Sequence, residues 1–173
     1  MKIIFILDQI QAGLGGKEKG DQPLGGKHIA VGSAKMFDNY LSKVDGQVSA
    51  TLYCGDDYFA QDPETNALKL TAMVKKLNPD VVICGPCFNY ETYGLMAGKV
   101  AATIQERLQK PVIAAMSVEC AEAIATYKDQ VNIVKMPKKG GTGLTESLEN
   151  MLALCQLKAS GADTTAFVAE HCY

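Results

Sequence analysis

Five short runs rich in branched apolar residues alternate with longer segments of helical period, and that alternation constrains this chain more than any other feature. The runs are Lys2–Leu7, Gln47–Tyr53, Asp80–Cys84, Pro111–Met116 and Val131–Met136. Between them, apolar residues recur at helical spacing: Ile29, Met36, Phe37, Tyr40 and Leu41 in His28–Val44, then Leu70, Val74 and Leu77. Met96, Val100, Ile104 and Leu108 share one face of Leu95–Leu108, and Leu144, Leu148, Met151, Leu152 and Cys155 do so in the last segment. Asp62-Pro63-Glu64 reads as a helix start, a cap followed by proline at the first helical position. Strands that alternate with helices give right-handed βαβ units. The expected fold is therefore α/β: one doubly wound, mostly parallel five-stranded sheet flanked by helices, flavodoxin- or Rossmann-like. Ser117–Gln130 is a short connection with a weak helical signal. At 173 residues the chain suits one domain, expected over 1–158, with 159–173 as a C-terminal tail that Phe167, Val168 and Tyr173 could dock.

Composition narrows the function classes. The formal net charge of −2 leaves no basic surplus to neutralise phosphates, which argues against nucleic acid as a partner. No apolar run approaches the roughly 18 residues of a membrane span, and the N-terminus lacks a signal-peptide pattern. A cytoplasmic protein without a membrane partner is expected. The six cysteines (54, 84, 87, 120, 155 and 172) lie in apolar strand and helix patterns, so reduced thiols are expected. With a single CxxC and both histidines far away in sequence, no metal site is expected.

In parallel sheets, ligands bind beyond the carboxyl ends of the strands, and three segments there carry chemistry. The first is Asp8–Lys27, about twenty residues where such connections usually run to about six. Its glycines allow close backbone approach, and Gly15, Gly16 and Lys17 form a candidate carboxylate site. The pattern is neither a dinucleotide fingerprint nor a P-loop, and it lacks the Ser/Thr-rich phosphate turn of an FMN site. No cofactor is expected. The second is Tyr53-Cys-Gly-Asp-Asp-Tyr-Phe59, where Asp56 and Asp57 can cap the next segment, bind a cation or position a substrate amine.

The third is Cys84-Gly-Pro-Cys87, with the spacing of a thioredoxin-type centre, although Ile83 replaces the tryptophan usual before it. Lying just past a strand end, Cys87 is expected to be partly exposed and low in pKa, and Cys84 more buried. Cys87, Cys54 and Cys84 are the candidate catalytic residues. Asn89, Glu91 and Ser117 are candidate substrate contacts beside Gly15, Gly16 and Lys17. Cys120 and Cys155 read as core packing, and Cys172 as incidental near a loose end.

Ala12-Gly-Leu-Gly-Gly-Lys-Glu-Lys-Gly-Asp21, Cys54-Gly-Asp-Asp-Tyr-Phe59 and Gly85-Pro-Cys-Phe-Asn-Tyr-Glu-Thr-Tyr-Gly94 together resemble the N-terminal part of the glycine/sarcosine/betaine reductase component B selenoprotein family, in the family's order. The resemblance implies anaerobic reductive cleavage of a C–N bond in glycine or an N-methylated relative, with ammonia or an amine released. It also implies other reductase-complex subunits as partners. Two departures stand out. The family's redox-active selenocysteine belongs to a downstream region outside these 173 residues, and Cys87 stands where a small residue such as alanine is expected. The family's pyruvoyl group arises in a different subunit. The residues leave two alternatives open: a thiol–disulfide redox protein using Cys84 and Cys87, or a non-catalytic flavodoxin-like binding or assembly module. A homo-oligomer also stays open.

Overall fold

The computed structural model describes residues 1–173 as a single six-stranded sheet covered by helices on both faces. The five expected strands are present as β1 (Lys2–Leu7), β3 (Gln47–Tyr53), β4 (Val81–Cys84), β5 (Val112–Ser117) and β6 (Ile133–Met136), all mutually parallel. A sixth strand, β2 (Gly25–Lys27), runs antiparallel along the outer side of β3, giving the order β2-β3-β1-β4-β5-β6. Its Gly-Gly-Lys sequence has no strand propensity, so pattern reasoning counts five strands rather than six. Gly25 lies close under the Tyr53 ring, which a Cβ there would approach to 2.6 Å.

β1 occupies the centre, and after Lys2 every residue of Ile-Ile-Phe-Ile-Leu is buried, the signature of a parallel strand covered on both faces. One face carries α1 (Asp56–Gln61), α2 (Pro63–Leu77), α3 (Glu91–Leu108) and α4 (Ala121–Tyr127). The Asp62 side chain caps α2 by accepting the Thr65 N–H at 3.1 Å, and Pro63 takes the first helical position, as the sequence indicates. The other face is closed by α5 (Leu144–Ser160) and by two 3-10 segments, Gly32–Phe37 and Leu41–Val44.

Those two segments replace the helix expected over His28–Val44. The start of this stretch is tied down in extended form: Thr51 Oγ1 accepts the Val31 N–H and donates to the Ile29 carbonyl. Gly32 then presses its backbone against the first loop, where a Cβ would sit 1.8 Å from the Gln11 carbonyl oxygen. Of the residues read at helical spacing in this stretch, Phe37 alone is fully buried, packing on Phe5 with ring centroids 4.8 Å apart, while Met36, Tyr40 and Leu41 are half-buried and Ile29 is exposed. Short 3-10 turns are what the residues after the pinned start form.

The last residues are ordered against the sheet. α6 (Thr165–His171) is followed by Cys172, which bridges Val134, and by Tyr173, whose N–H donates to the Ile133 carbonyl. Cys172 is buried, not incidental. No helix is long and apolar enough to cross a membrane.

Candidate functional site

Because β1, β3, β4, β5 and β6 are parallel, their C-terminal residues line one edge. Leu7 pairs with Tyr53, Ile6 with Cys84, Cys84 with Ala114, and Ser117 with Met136. From β1 the chain moves to β3 on one side, then crosses back to β4 on the other. β1 and β4 therefore flank the topological switch point, where open α/β sheets bind ligands. The long first loop lies over this edge: Gly55 N–H donates to the Gln22 carbonyl and Tyr58 N–H to that of Gly20, each at 2.8 Å. Gly55 is required there, since a Cβ would meet the Gly20 oxygen at 2.1 Å.

On the β4–β5 side, the segment after Cys84 continues the sheet's pairing by a different route. Cys87 N–H donates to the Ala115 carbonyl and Ser117 N–H to that of Phe88, both at 2.8 Å. Gly85 sits at φ +148° with Ala115 behind it, and Phe88 adopts a left-handed φ of +51°. This turn draws Cys87 inward. Cys87 is completely buried, so the expectation of a partly exposed thiolate is corrected: the helix that follows starts only at Glu91, and the turn tucks the thiol beneath it. Burial drives the Cys84 and Cys87 thiols well above their ordinary range and pushes Cys54 and Cys120 up to about 12. All six cysteines are free thiols and all are buried.

The expected polar contacts on this side are engaged in the fold itself. Glu91 caps α4, its Oε1 accepting the Ala123 N–H at 2.8 Å. Ser117 Oγ donates to Glu119 Oε2 at 2.9 Å, and the same oxygen accepts the Lys139 N–H, tying β5 to the turn before α5. Asn89 is half-buried beside them.

The β1–β3 side is different. Gln9, fully buried, clamps Asp56 twice: its Nε2 donates to Asp56 Oδ1 at 2.9 Å, and its Oε1 accepts the Asp56 N–H at 3.0 Å. Thr92 Oγ1 donates to Asp56 Oδ2 at 2.7 Å. Behind this group stands Asp8, 1% exposed, whose Oδ1 accepts the Gln11 N–H at 2.6 Å while its Oδ2 has no partner. Burial, with a contribution from nearby Asp56, raises the Asp8 carboxyl to about 6. Tyr93, also fully buried, anchors α3 to β1 by donating its hydroxyl hydrogen to the Ile6 carbonyl at 2.6 Å. Asp8, Gln9 and Thr92 escape a reading of the sequence. The one available signal is an acid placed directly at the end of the most apolar strand.

Gly15, Gly16 and Lys17 stand apart on the loop, where Gly16 N–H donates to Glu18 Oε1 at 2.9 Å. That backbone bond holds the Glu18 carboxyl below its ordinary value. The turn therefore already binds a carboxylate, its own.

The family model of glycine/sarcosine/betaine reductase selenoprotein B matches residues 1–173. The chain belongs to that family. It is 32% identical to the glycine reductase complex component B subunit gamma of Peptoclostridium litorale, over 100% of this chain and 39% of that protein. It is 28% identical to the sarcosine reductase complex component B subunit beta of Peptoclostridium acidaminophilum, over 93% of this chain and 36% of that protein. Against the betaine reductase complex component B subunit beta of the same organism the identity is 24%, over 90% of this chain and 34% of that protein. This selenoprotein B relative thus spans less than two-fifths of the length of the curated proteins it matches. No solved structure matches the chain.

Proposed function

We infer that this chain acts within a glycine/sarcosine/betaine-type reductase complex, binding a small amino acid or N-methylated amine at its strand-end edge for thiol- or selenol-dependent reductive C–N cleavage. The observation that carries this reading is the family match over the whole chain, joined to a sheet whose switch point is furnished with acids and oriented amides. The Gly15–Lys17 turn supplies the carboxylate pole: Glu18 occupies the Gly16 amide, and a substrate carboxylate would take its place. Asn89 offers a half-buried amide at the same edge. Cys54, Cys84 and Cys87 form the floor beneath that edge, and their burial speaks against a resting thiolate among them. The attacking sulfur or selenium then comes from outside these 173 residues.

Reconstitution tests this. The chain, mixed anaerobically with the other subunits of a glycine, sarcosine or betaine reductase complex and a dithiol reductant, should associate with them and be required for ammonia or amine release. Failure to associate, or equal product release without the chain, overturns the reading.

A further inference from the structure

The sheet has one covered edge and one bare edge. Beyond β6 lies the chain's own C-terminus, with Cys172 bridging Val134 and the Tyr173 N–H donating to the Ile133 carbonyl. β2 has no such cover. It is the outermost strand on its side, and apart from its pairing with β3 no backbone group of Gly25, Gly26 or Lys27 takes part in a hydrogen bond. An edge of this kind presents unpaired N–H and C=O groups to any strand that can reach it. The extended edge runs on to Ile29, whose carbonyl accepts from Thr51 Oγ1 and which, at 59% exposure, is the most exposed large apolar residue of the chain.

Beside that edge, between β2 and the C-terminal half of α2, lies a cleft of about 260 Å³. Ala50 and Leu52 of β3 form its floor, and the half-buried Met73 and Leu77 of α2 form its wall. Its polar residues are Lys27, His28 and Lys76, all exposed, and no carboxylate lines it. Neither lysine belongs to any of the molecule's ion pairs. A lysine on an edge strand by itself only blunts the edge against pairing. Here the cleft adds apolar area that an incoming side chain can bury, and the charges select the partner. A second copy paired edge to edge across a two-fold axis would set Lys27 and its neighbours against their own counterparts, so like charge opposes self-association. An acidic segment meets the same groups as counter-ions.

We propose that the β2 edge and this cleft dock an extended segment of another protein chain, one in which branched apolar residues alternate with acidic ones. The segment adds a strand outside Gly25–Lys27, taking main-chain hydrogen bonds from the edge and specificity from the side-chain pocket beside it. Its apolar side chains reach across Gly26, which puts no side chain in the way, to Met73 and Leu77, and its carboxylates face Lys27 and Lys76. The proposal deepens the reductase reading and rests on it for the identity of that chain, another subunit of the complex.

The test is a nuclear magnetic resonance titration of the 173-residue chain with the peptide acetyl-Glu-Val-Glu-Val-Glu-Val-amide. The peptide should shift the amides of Gly25, Gly26, Lys27 and Met73 saturably and slow hydrogen exchange along Gly25–Lys27. The fully N-methylated peptide, which keeps the side chains and loses every backbone donor, and the peptide with lysine for glutamate should each bind at least about tenfold more weakly. Lys27→Glu and Lys76→Glu, at exposed positions on two different elements, should each weaken binding about tenfold and leave the urea midpoint unchanged. Lys128→Glu, an exposed lysine elsewhere, should change nothing. Absence of saturable shifts at β2, equal binding of the N-methylated peptide, or binding that survives both variants overturns the docking edge. So does isovalerate binding as tightly as the peptide, which would make the cleft a small-carboxylate site, or a dimer of the chain that the peptide dissociates, which would make a second copy the occupant. In the reconstituted complex, the variant carrying both Lys27→Glu and Lys76→Glu should lose its association with the other subunits. Undiminished association of that variant overturns the proposal while the reductase reading stands. Peptide binding by a chain that joins no subunit supports the docking edge and sinks the reductase reading alone.

Discussion

The two halves of the strand-end edge use similar residues to opposite ends. On the β4–β5 side, Glu91, Ser117 and Glu119 spend their hydrogen-bonding capacity on backbone amides and on one another, and the thiols sink into the core. On the β1–β3 side, Asp56 is held by neutral donors and Asp8 keeps an unpartnered oxygen, so charge is left over. A polar residue past a strand end is thus a poor guide to a site by itself. What distinguishes a site is capacity that remains after the fold has taken its share.

The comparison breaks most readily at Gly85. Substitution by alanine places a Cβ about 3.0 Å from the Ala115 carbonyl at a φ of +148° and should destabilise the chain by about 3 kcal/mol or more. A urea melt with an unchanged midpoint would show that the β4–β5 half is not rigidly committed to structure.

Asp8 should move stability in the opposite direction. Its folded pKa of about 6 lies above the ordinary 3.8, so the folded state holds the proton more tightly. Stability falls as pH rises from about 4 to about 6, and the full penalty, about 3 kcal/mol, persists above that range. Asp8→Asn should therefore stabilise the chain by about 2–3 kcal/mol at pH 7.5 and by little at pH 4, as urea melts at the two pH values would report. Equal effects at both pH values would mean that Asp8 carries no leftover charge.

Glu91→Ala should cost about 1–2 kcal/mol through the orphaned α4 amides, read as a lowered midpoint in a urea melt. Thiol labelling near neutral pH should be slow for all six cysteines. Cys172 should react first, because only a terminal helix and one bridge hold it. If Cys87 reacted first, the buried half would be opening on its own. The smallest effect belongs to Glu18→Gln, which should leave the melt unchanged while shifting the Gly16 amide and making it responsive to added acetate.

Much of this was readable from residues alone. Period and punctuation give β1, β3, β4, β5, β6, the capped start of α2 and the body of α3, because each depends on local propensity and on one buried face. The quoted segments also give the family. Residue pattern could not decide that Gly25–Lys27 pairs as an edge strand, since that pairing comes from β3 and from the room left by missing side chains. Nor could it exchange the expected helix over His28–Val44 for 3-10 turns, which Thr51 and the Gln11 backbone impose from elsewhere in the chain.

The site divides along the same line. The sequence by itself placed Cys54, Cys84, Ser117 and the two aspartates at one edge, because parallel strands must end together. Only the tertiary structure decided which of them stayed available. Cys87 lost its exposure to a turn that pairs with Ala115, Glu91 was claimed by amides 31 and 32 residues further along, and Asp56 was aimed by Gln9 and Thr92, 47 and 36 residues away. Burial and hydrogen-bond satisfaction are properties of neighbours brought together by folding, and no window of local sequence contains them.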